Sequence, residues 1–237
     1  MSRSVVRVMV VDDEILIREG LRRILETFEG SEVVAVCSGD GAAAQARRHR
    51  PDVVLLDLRM PDRDGLTVLA DLRALPEPPV VAMLTTFDAD EHLSAALHGG
   101  AAGFLLKDTP PAQLEYAVLE LAAGGSVIAP KLARTVVRHF VEGPASGVRA
   151  GSTEQGRTAV ELTDRERDVL ALVTEGMSNV EIGRRLFIGT TTVKDHVSTL
   201  LVKLRVTNRV QAAVHAQRLG LVDPPAPPAP VPGGAGR

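Results

Sequence analysis

Residues 52–65 have the sequence DVVLLDLRMPDRDG, and this segment is the strongest indication of the fold of the first half of the chain. The run Asp52–Leu56 is rich in Val and Leu, which is typical of a strand buried on both faces. Asp57 follows the run directly, and Gly65 stands where a helical pattern begins. The stretch therefore predicts a buried strand that ends at a carboxylate, followed by a loop and a helix.

Similar apolar runs lie on either side of this stretch, and helical patterns separate them. The other runs are Val5–Val11, Glu32–Val36, Val80–Leu84 and Ala102–Leu105. The helical patterns cover residues 14–27, 40–48, 65–75, 88–98 and 109–124. Such a succession of strand–helix units indicates an α/β domain with a five-stranded parallel sheet, helices on both faces and right-handed crossovers.

The pattern changes after residue 125. Residues 130–141 predict a short helix, and residues 142–160 are rich in Gly, Ser, Ala and Thr, as expected of a linker. Helical patterns then cover residues 164–175, 179–187, 191–205 and 208–219. Two capping boxes, Thr163 to Glu166 and Ser178 to Glu181, mark helix starts. We therefore predict an α/β domain over 1–125, a linker over 126–160, a helical domain over 161–223 and a disordered Pro/Gly-rich tail over 224–237.

Length and charge agree with two domains that have different partners. A chain of 237 residues is comfortable for two domains. Residues 1–125 carry 20 acidic and 12 basic side chains, a net charge of −8, whereas residues 162–220 carry 6 acidic and 9 basic ones, a net charge of +3. The basic half is the candidate for nucleic-acid binding. The single Cys37 is expected to be a buried structural thiol, and without a signal peptide or a long apolar segment the protein is expected to be cytoplasmic.

Polar side chains follow several of the predicted strands. Asp12 and Asp13 follow the first strand, Asp57 the third and Thr85 the fourth, while the fifth leads into Lys107. The carboxyl ends of parallel strands share one rim of the sheet, so these groups are expected to converge. Clustered carboxylates favour Mg²⁺, and a lysine beside them can meet added negative charge. The sequence therefore predicts a phosphoryl-handling site with a carboxylate nucleophile.

The motifs that contain these residues resemble the receiver domain of bacterial two-component systems over residues 5–124. The motifs are 10–13 (VVDD), 57–65 (DLRMPDRDG), 84–86 (LTT) and 103–107 (GFLLK). The resemblance implies a flavodoxin-like doubly wound fold in which Asp57 accepts a phosphoryl group from the phosphohistidine of a sensor histidine kinase. It also implies that Mg²⁺ is bound by Asp13, Asp57 and the backbone carbonyl of Arg59, with Asp12 acting through water. Thr85, Phe104 and Lys107 are the implied switch residues that respond to the phosphoryl group.

Residues 191–205 determine the interpretation of the second domain. One face of this predicted helix is an apolar stripe formed by Val193, Val197, Leu200, Leu201 and Leu204. The opposite face carries Thr191, Lys194, Asp195, Ser198, Val202 and Arg205. A helix with such a polar face fits the major groove of DNA. The preceding helix ends close by, with Gly189 in the turn, which is typical of a helix-turn-helix motif.

Residues 161–223 resemble the LuxR-type four-helix DNA-binding domain. The similar segments are 162–170 (LTDRERDVL), 177–182 (MSNVEI) and 192–197 (TVKDHV). A receiver followed by this domain identifies the chain as a member of the NarL/FixJ class of response regulators, a transcription factor and not an enzyme. The implied partners are a sensor histidine kinase, double-stranded promoter DNA, a second copy of the chain and RNA polymerase. The residues implied to face bases are Lys194, Asp195 and Ser198. Those implied to lie near phosphates are Ser178, Asn179, Thr191, Thr192 and Lys203.

Other functions remain as alternatives at this level. An Asp-nucleophile phosphohydrolase also combines an Asp with Mg²⁺, but such enzymes usually carry a second acid two residues after the nucleophile, where this chain has Arg59. The receiver fold could also belong to a DNA-binding protein that works without phosphorylation. The helical half could be an interaction module that never touches DNA. A dinucleotide-binding domain is disfavoured because no Gly-rich loop follows the first strand.

Overall fold

The computed structural model describes residues 5–61, 63–86, 90–129, 132 and 161–221. Apart from Leu132, the predicted helix over 130–141 lies outside these residues. The Gly- and Ser-rich stretch 142–160 and the tail 224–237 lie outside them as well.

The first domain is built on a parallel sheet. Its strands are β1 (Val6–Val11), β2 (Ser31–Cys37), β3 (Val53–Asp57), β4 (Val80–Thr85), β5 (Gly103–Leu106) and β6 (Val127–Ile128). Their order is β2-β1-β3-β4-β5-β6, and all neighbouring pairs are parallel. The strand order reverses between β1 and β3, so the carboxyl ends of these two strands flank the crevice where such folds bind ligands.

Among the described residues, five helices cover the two faces of this sheet. They are α1 (Ile15–Leu25), α2 (Ala42–His49), α3 (Gly65–Arg73), α4 (Asp90–His98) and α5 (Pro111–Ala122). Residues of β3 alternate between two cores: Val54 and Leu56 pack on the side of α3 and α4, while Val53 and Leu55 pack on the side of α1 and α5. The doubly wound α/β class predicted from the sequence is confirmed.

Within the part of the chain that the structure describes, the sheet has six strands, one more than the five predicted. Val127 and Ile128 pair with Gly103 and Phe104 of β5 at the edge of the sheet. These residues fall within the predicted linker, because a pair of residues is too short to show a strand pattern. The ordered sheet therefore continues past residue 125.

The described part of the second domain is helical, as predicted. Its helices are α6 (Asp164–Thr174), α7 (Asn179–Leu186), α8 (Thr190–Leu204) and α9 (Arg209–Arg218). Both predicted capping boxes are present: Thr163 and Ser178 accept from backbone N–H groups of α6 and α7, and Glu166 and Glu181 accept from the cap residues in return. The apolar residues of the four helices form a core of their own. Among the described residues, no helix is long and apolar enough to cross a membrane.

Candidate functional site

The predicted acids meet at the rim of the sheet. β1 and β3 pair side by side, with Val11 opposite Leu56, so the residues that follow them are neighbours. Asp12 and Asp57 are buried, and Asp13 is half-buried. One carboxylate oxygen from each of the three lies within 4.8 Å of the others. This donor set of hard oxygen ligands is suitable for Mg²⁺.

Lys107 lies at the centre of this acidic group. Its Nζ is 3.0 Å from Asp57 Oδ2, 2.9 Å from Asp12 Oδ2 and 3.4 Å from Glu14 Oε1. The backbone N–H of Lys107 donates to Thr85 O at the end of β4, which fixes the residue at the rim. The ammonium group therefore bridges the carboxylates of Asp12 and Asp57, two of the acids that were predicted at this rim.

Burial and charge leave Asp57 poorly stabilised as an anion. Burial raises the pKa of Asp57 to about 6, helped by the charge of Asp12, although the hydrogen bond from Lys107 acts in the opposite direction. Burial lowers the pKa of Lys107, but its hydrogen bonds to Asp12 and Asp57 outweigh this effect, so its pKa lies above the ordinary value. A further positive charge beside Asp57 would relieve the cost of its ionised form.

The other predicted residues of the rim have defined positions. Thr85 is buried at the end of β4, and its Oγ1 donates to Thr86 O at 2.9 Å. Phe104 is fully buried in the core on the side of α3 and α4. The backbone N–H of Arg59 donates to Asp57 Oδ1 at 3.3 Å. The roles assigned to these three residues remain predictions.

Two residues of this region were not singled out from the sequence. Arg18, on α1, donates to the carbonyl oxygens of Asp12 and Asp13 at 2.5 and 3.0 Å, which holds the backbone of the acid pair. The N–H of Glu14 donates to Asp12 Oδ1 at 2.9 Å, and the Glu14 carboxylate contacts Lys107. Sequence spacing gave no signal for the Arg18 contact, which depends on how α1 packs against the end of β1, or for the contact of the Glu14 carboxylate with Lys107, which depends on how the ends of β1 and β5 come together.

The loop after Asp57 closes tightly against the strand that precedes it. A Cβ atom at Gly65 would lie 2.3 Å from Asp57 O and 2.8 Å from Leu58 O. Asp64 accepts from the N–H of Leu66 and caps α3. A side chain at residue 65 would therefore push the loop away from Asp57.

In the second domain, α8 presents the face that was predicted to meet DNA. Val193, Leu200 and Leu204 are buried, and Val197 and Leu201 pack against the same core. The opposite face is exposed and includes Thr191, Thr192, Lys194, Asp195 and Ser198. The stripe predicted for this helix is therefore confirmed.

Three other residues were predicted to contact DNA. In the structure, Ser178, Asn179 and Lys203 are buried or bonded to other groups of the chain. The Ser178 side chain caps α7, and Ser178 and Asn179 are both buried. Lys203 Nζ lies 2.7 Å from Glu166 Oε2 and 3.2 Å from Glu161 O. No local sequence pattern indicates these pairings. The DNA contacts of the three residues remain predictions.

Known proteins match each half of the chain by itself, and some of them match more than 90% of its length. Residues 8–119 match the response regulator receiver domain, and residues 160–216 match the luxR family of bacterial regulatory proteins. The chain is 40% identical over 220 residues to the probable transcriptional regulatory protein NarL of Mycobacterium tuberculosis, covering 92% of this chain and 96% of that one. It is 34% identical over 218 residues to the transcriptional regulatory protein LnrK of Bacillus subtilis, covering 91% and 98%. A LuxR-family two-component response regulator from Aurantimonas sp. has a similar structure, with a TM-score of 0.54 and 29% identity over 58% of this chain and 99% of that one.

Proposed function

The chain belongs to the NarL/FixJ class of two-component response regulators, and we propose that phosphorylation of Asp57 controls how its LuxR-type domain binds DNA. The observation that carries the proposal is the position of Asp57, a buried carboxylate at the end of β3 with Lys107 Nζ 3.0 Å away. The acidic receiver and the separate helical domain give the protein an input and an output.

Asp57 is the proposed phosphoryl acceptor. A carboxylate oxygen of Asp57 attacks the phosphorus of the sensor kinase's phosphohistidine, and the P–N bond breaks as the O–P bond forms. The histidine leaves as neutral imidazole after it takes up a proton. Lys107, already in contact with Asp57, is placed to pair with the added phosphoryl oxygens.

The acid cluster fits a magnesium ion. Asp13, Asp57 and the Arg59 carbonyl would hold the ion directly, and Asp12 would hold it through water. Support comes from three carboxylates whose oxygens lie within 4.8 Å of one another and from the raised pKa of Asp57. Mg²⁺ bound there would neutralise charge on the phosphoryl oxygens during transfer.

Thr85, Phe104 and Lys107 are the proposed switch. Thr85 Oγ1 bonds a neighbouring backbone carbonyl and can exchange this partner for a phosphoryl oxygen without leaving the rim. Phe104 lies within β5 and Lys107 directly follows that strand, so a shift of Lys107 acts on the strand that carries Phe104. Phosphorylation adds about one negative charge or somewhat less to this region, which is the source of the shift.

The proposed DNA interface is centred on α8. Lys194, Asp195 and Ser198 would face base edges, while Thr191 and Thr192, at the start of the helix, would lie near phosphates. All five are exposed on the face opposite the core. Further contacts with the phosphate backbone of DNA would come from Ser178, Asn179 and Lys203, once these residues are released from their present partners in the chain.

The proposed partners follow from these two sites. A sensor histidine kinase supplies the phosphoryl group, and two copies of the chain bind a two-fold promoter site, with α9 as the proposed dimer helix. RNA polymerase is the proposed target of the DNA-bound form.

The test of this proposal is phosphoryl transfer in parallel with DNA binding. A small phosphodonor with Mg²⁺ should label the wild-type chain and change its affinity for promoter DNA. Asp57→Asn should be neither labelled nor changed in affinity. Undiminished labelling of Asp57→Asn would show that another residue is the acceptor.

A further inference from the structure

Helix α8 carries an acid on the face that is turned away from the core of the helical domain. Asp195 and its neighbour Lys194 are both exposed, whereas Val193 is buried in the core. Asp195 lies more than one turn after Thr190, the first residue of the helix. The amino end of a helix stabilises an acid only within the first turn. The helix itself therefore gives the charge of Asp195 no support.

The side chains around Asp195 are short hydroxyl groups and not cations. Residues three and four positions apart are neighbours on a helix surface, and the neighbours of Asp195 are Thr191, Thr192, Ser198 and Thr199, all exposed. Thr199 Oγ1 donates to the backbone carbonyl of Asp195 at 2.9 Å. Within the part of the chain that the structure describes, the Asp195 carboxylate has no hydrogen bond or ion pair.

Other acids of the helical domain have structural partners. Glu166 and Glu181 complete the capping boxes of α6 and α7. Asp168 Oδ2 lies 3.7 Å from the guanidinium of Arg165 on the same helix. Asp195 has no comparable role in the fold, so its place on α8 is better explained by what the helix meets outside the domain.

DNA offers few groups that this carboxylate can bind. Phosphates repel it, so Asp195 is unsuited to the backbone contacts proposed for Thr191 and Thr192. The donors in the major groove are the N4 amino group of cytosine and the N6 amino group of adenine. Adenine presents the acceptor N7 beside its amino group, whereas cytosine presents a donor and no acceptor. An acceptor beside the donor repels a carboxylate, so cytosine is the better partner.

We propose that Asp195 selects a cytosine in the target site by accepting a hydrogen bond from its N4 amino group. The inference rests on the proposed function, since it requires that α8 enters the major groove. Lys194 is suited to O6 and N7 of guanine. Consecutive residues of a helix do not face each other, so the two charged groups reach different base edges. Each half-site of the two-fold promoter site then contains a guanine and a cytosine in one or two adjoining base pairs.

Asp195→Asn in the full chain tests the assignment through a change of preference. Asparagine matches N6 and N7 of adenine, and it differs little from aspartate in helix propensity. Sites are selected from randomised double-stranded DNA in the presence of phosphodonor and Mg²⁺, and single positions of the selected sites are then varied in titrations. The wild type should prefer cytosine to adenine roughly tenfold at one position of each half-site. The variant should prefer adenine at the same position.

The ratio between the two bases is the deciding measurement, because loss of a negative charge should strengthen binding of Asp195→Asn to all DNA. Asp195→Glu keeps a carboxylate and should keep the preference for cytosine. The matched control is Asp168→Asn, which makes the same change at an exposed residue of α6. It should have the base preferences of the wild type. All three variants should be labelled at Asp57 like the wild type, since the changes lie outside the receiver.

The outcomes separate this inference from the proposed function. If the wild type selects a site without a preferred cytosine, or if Asp195→Asn keeps every base preference of the wild type, Asp195 does not select cytosine, and DNA binding by the chain stands. The same change of preference in Asp168→Asn would show that the charge of the domain causes it, and would also overturn the assignment. If the wild type binds no double-stranded DNA at low salt, the proposed function fails, and the selection of cytosine fails with it.

Discussion

Replacing Asp57 with asparagine should stabilise the receiver when no divalent ion is present. The pKa of Asp57 is raised from 3.8 to about 6, chiefly by burial and against the hydrogen bond from Lys107. A carboxyl group with a raised pKa contributes most to stability below its unfolded-state pKa, and this contribution is lost as the pH rises through its folded-state pKa. At about 1.4 kcal/mol per pKa unit, the ionised group costs the folded receiver about 3 kcal/mol near neutral pH. Asparagine has the charge of the protonated group and avoids this cost.

The assay is thermal unfolding of wild type and Asp57→Asn in chelator, near neutral pH and at about pH 5. Tyr116 is the only tyrosine and the chain has no tryptophan, so tyrosine fluorescence follows the receiver. The variant should melt roughly 10 °C higher near neutral pH, and the difference should be about half as large at about pH 5. Added Mg²⁺ should stabilise the wild type more than the variant, by about 2.7 kcal/mol at a hundredfold excess over Kd. If the Asp57→Asn receiver melts below the wild type in chelator, or if the difference in melting temperature is independent of pH, the ionised Asp57 does not destabilise the folded receiver.

Three further predictions concern the loop, the modular design and the DNA interface. Gly65→Ala should reduce phosphorylation of Asp57 and lower receiver stability by more than about 1 kcal/mol, because its Cβ would lie 2.3 Å from Asp57 O; labelling and thermal melting at wild-type levels would contradict this. A fragment over residues 159–223 should fold as helix and bind DNA without phosphodonor, because its described helices share their own core; circular dichroism and DNA titration at low salt check this, and a folded fragment without DNA affinity would contradict it. Lys194→Ala should cost about 1–3 kcal/mol in binding to the target site and reduce its preference over scrambled DNA; equal weakening on both DNAs across a salt series would make Lys194 a backbone contact.

The residues at the rim of the sheet could be predicted from the sequence, because each of them comes directly after a predicted strand. A buried parallel strand has a continuous apolar run, and the polar residue after it must lie at the carboxyl end. Asp12, Asp57 and Lys107 each satisfy this condition, and the structure places Lys107 Nζ 2.9 Å from Asp12 Oδ2 and 3.0 Å from Asp57 Oδ2. The capping boxes at Thr163 and Ser178 were equally local, since the partners are three residues apart.

Contacts between distant parts of the chain were not predictable in this way. The resemblance to the LuxR-type domain implied that Lys203 lies near a DNA phosphate. In the structure, its ammonium group lies against Glu166 on α6. Asn208 has a local signature as a helix cap, whereas its bonds to Leu97 and Ala101 depend on how two domains meet. Strand β6 is too short to show any period. Each of these features is fixed by packing between elements that no local pattern relates.

We propose that the phosphorylation state of Asp57 sets the DNA affinity of the whole chain. The most direct measurement is the affinity of the full chain for one promoter fragment at fixed salt, with and without phosphodonor and Mg²⁺, for the wild type and Asp57→Asn. We expect phosphodonor to tighten DNA binding by the wild type and to leave the affinity of Asp57→Asn unchanged. Equal affinity of the wild type before and after quantitative labelling of Asp57 would contradict it.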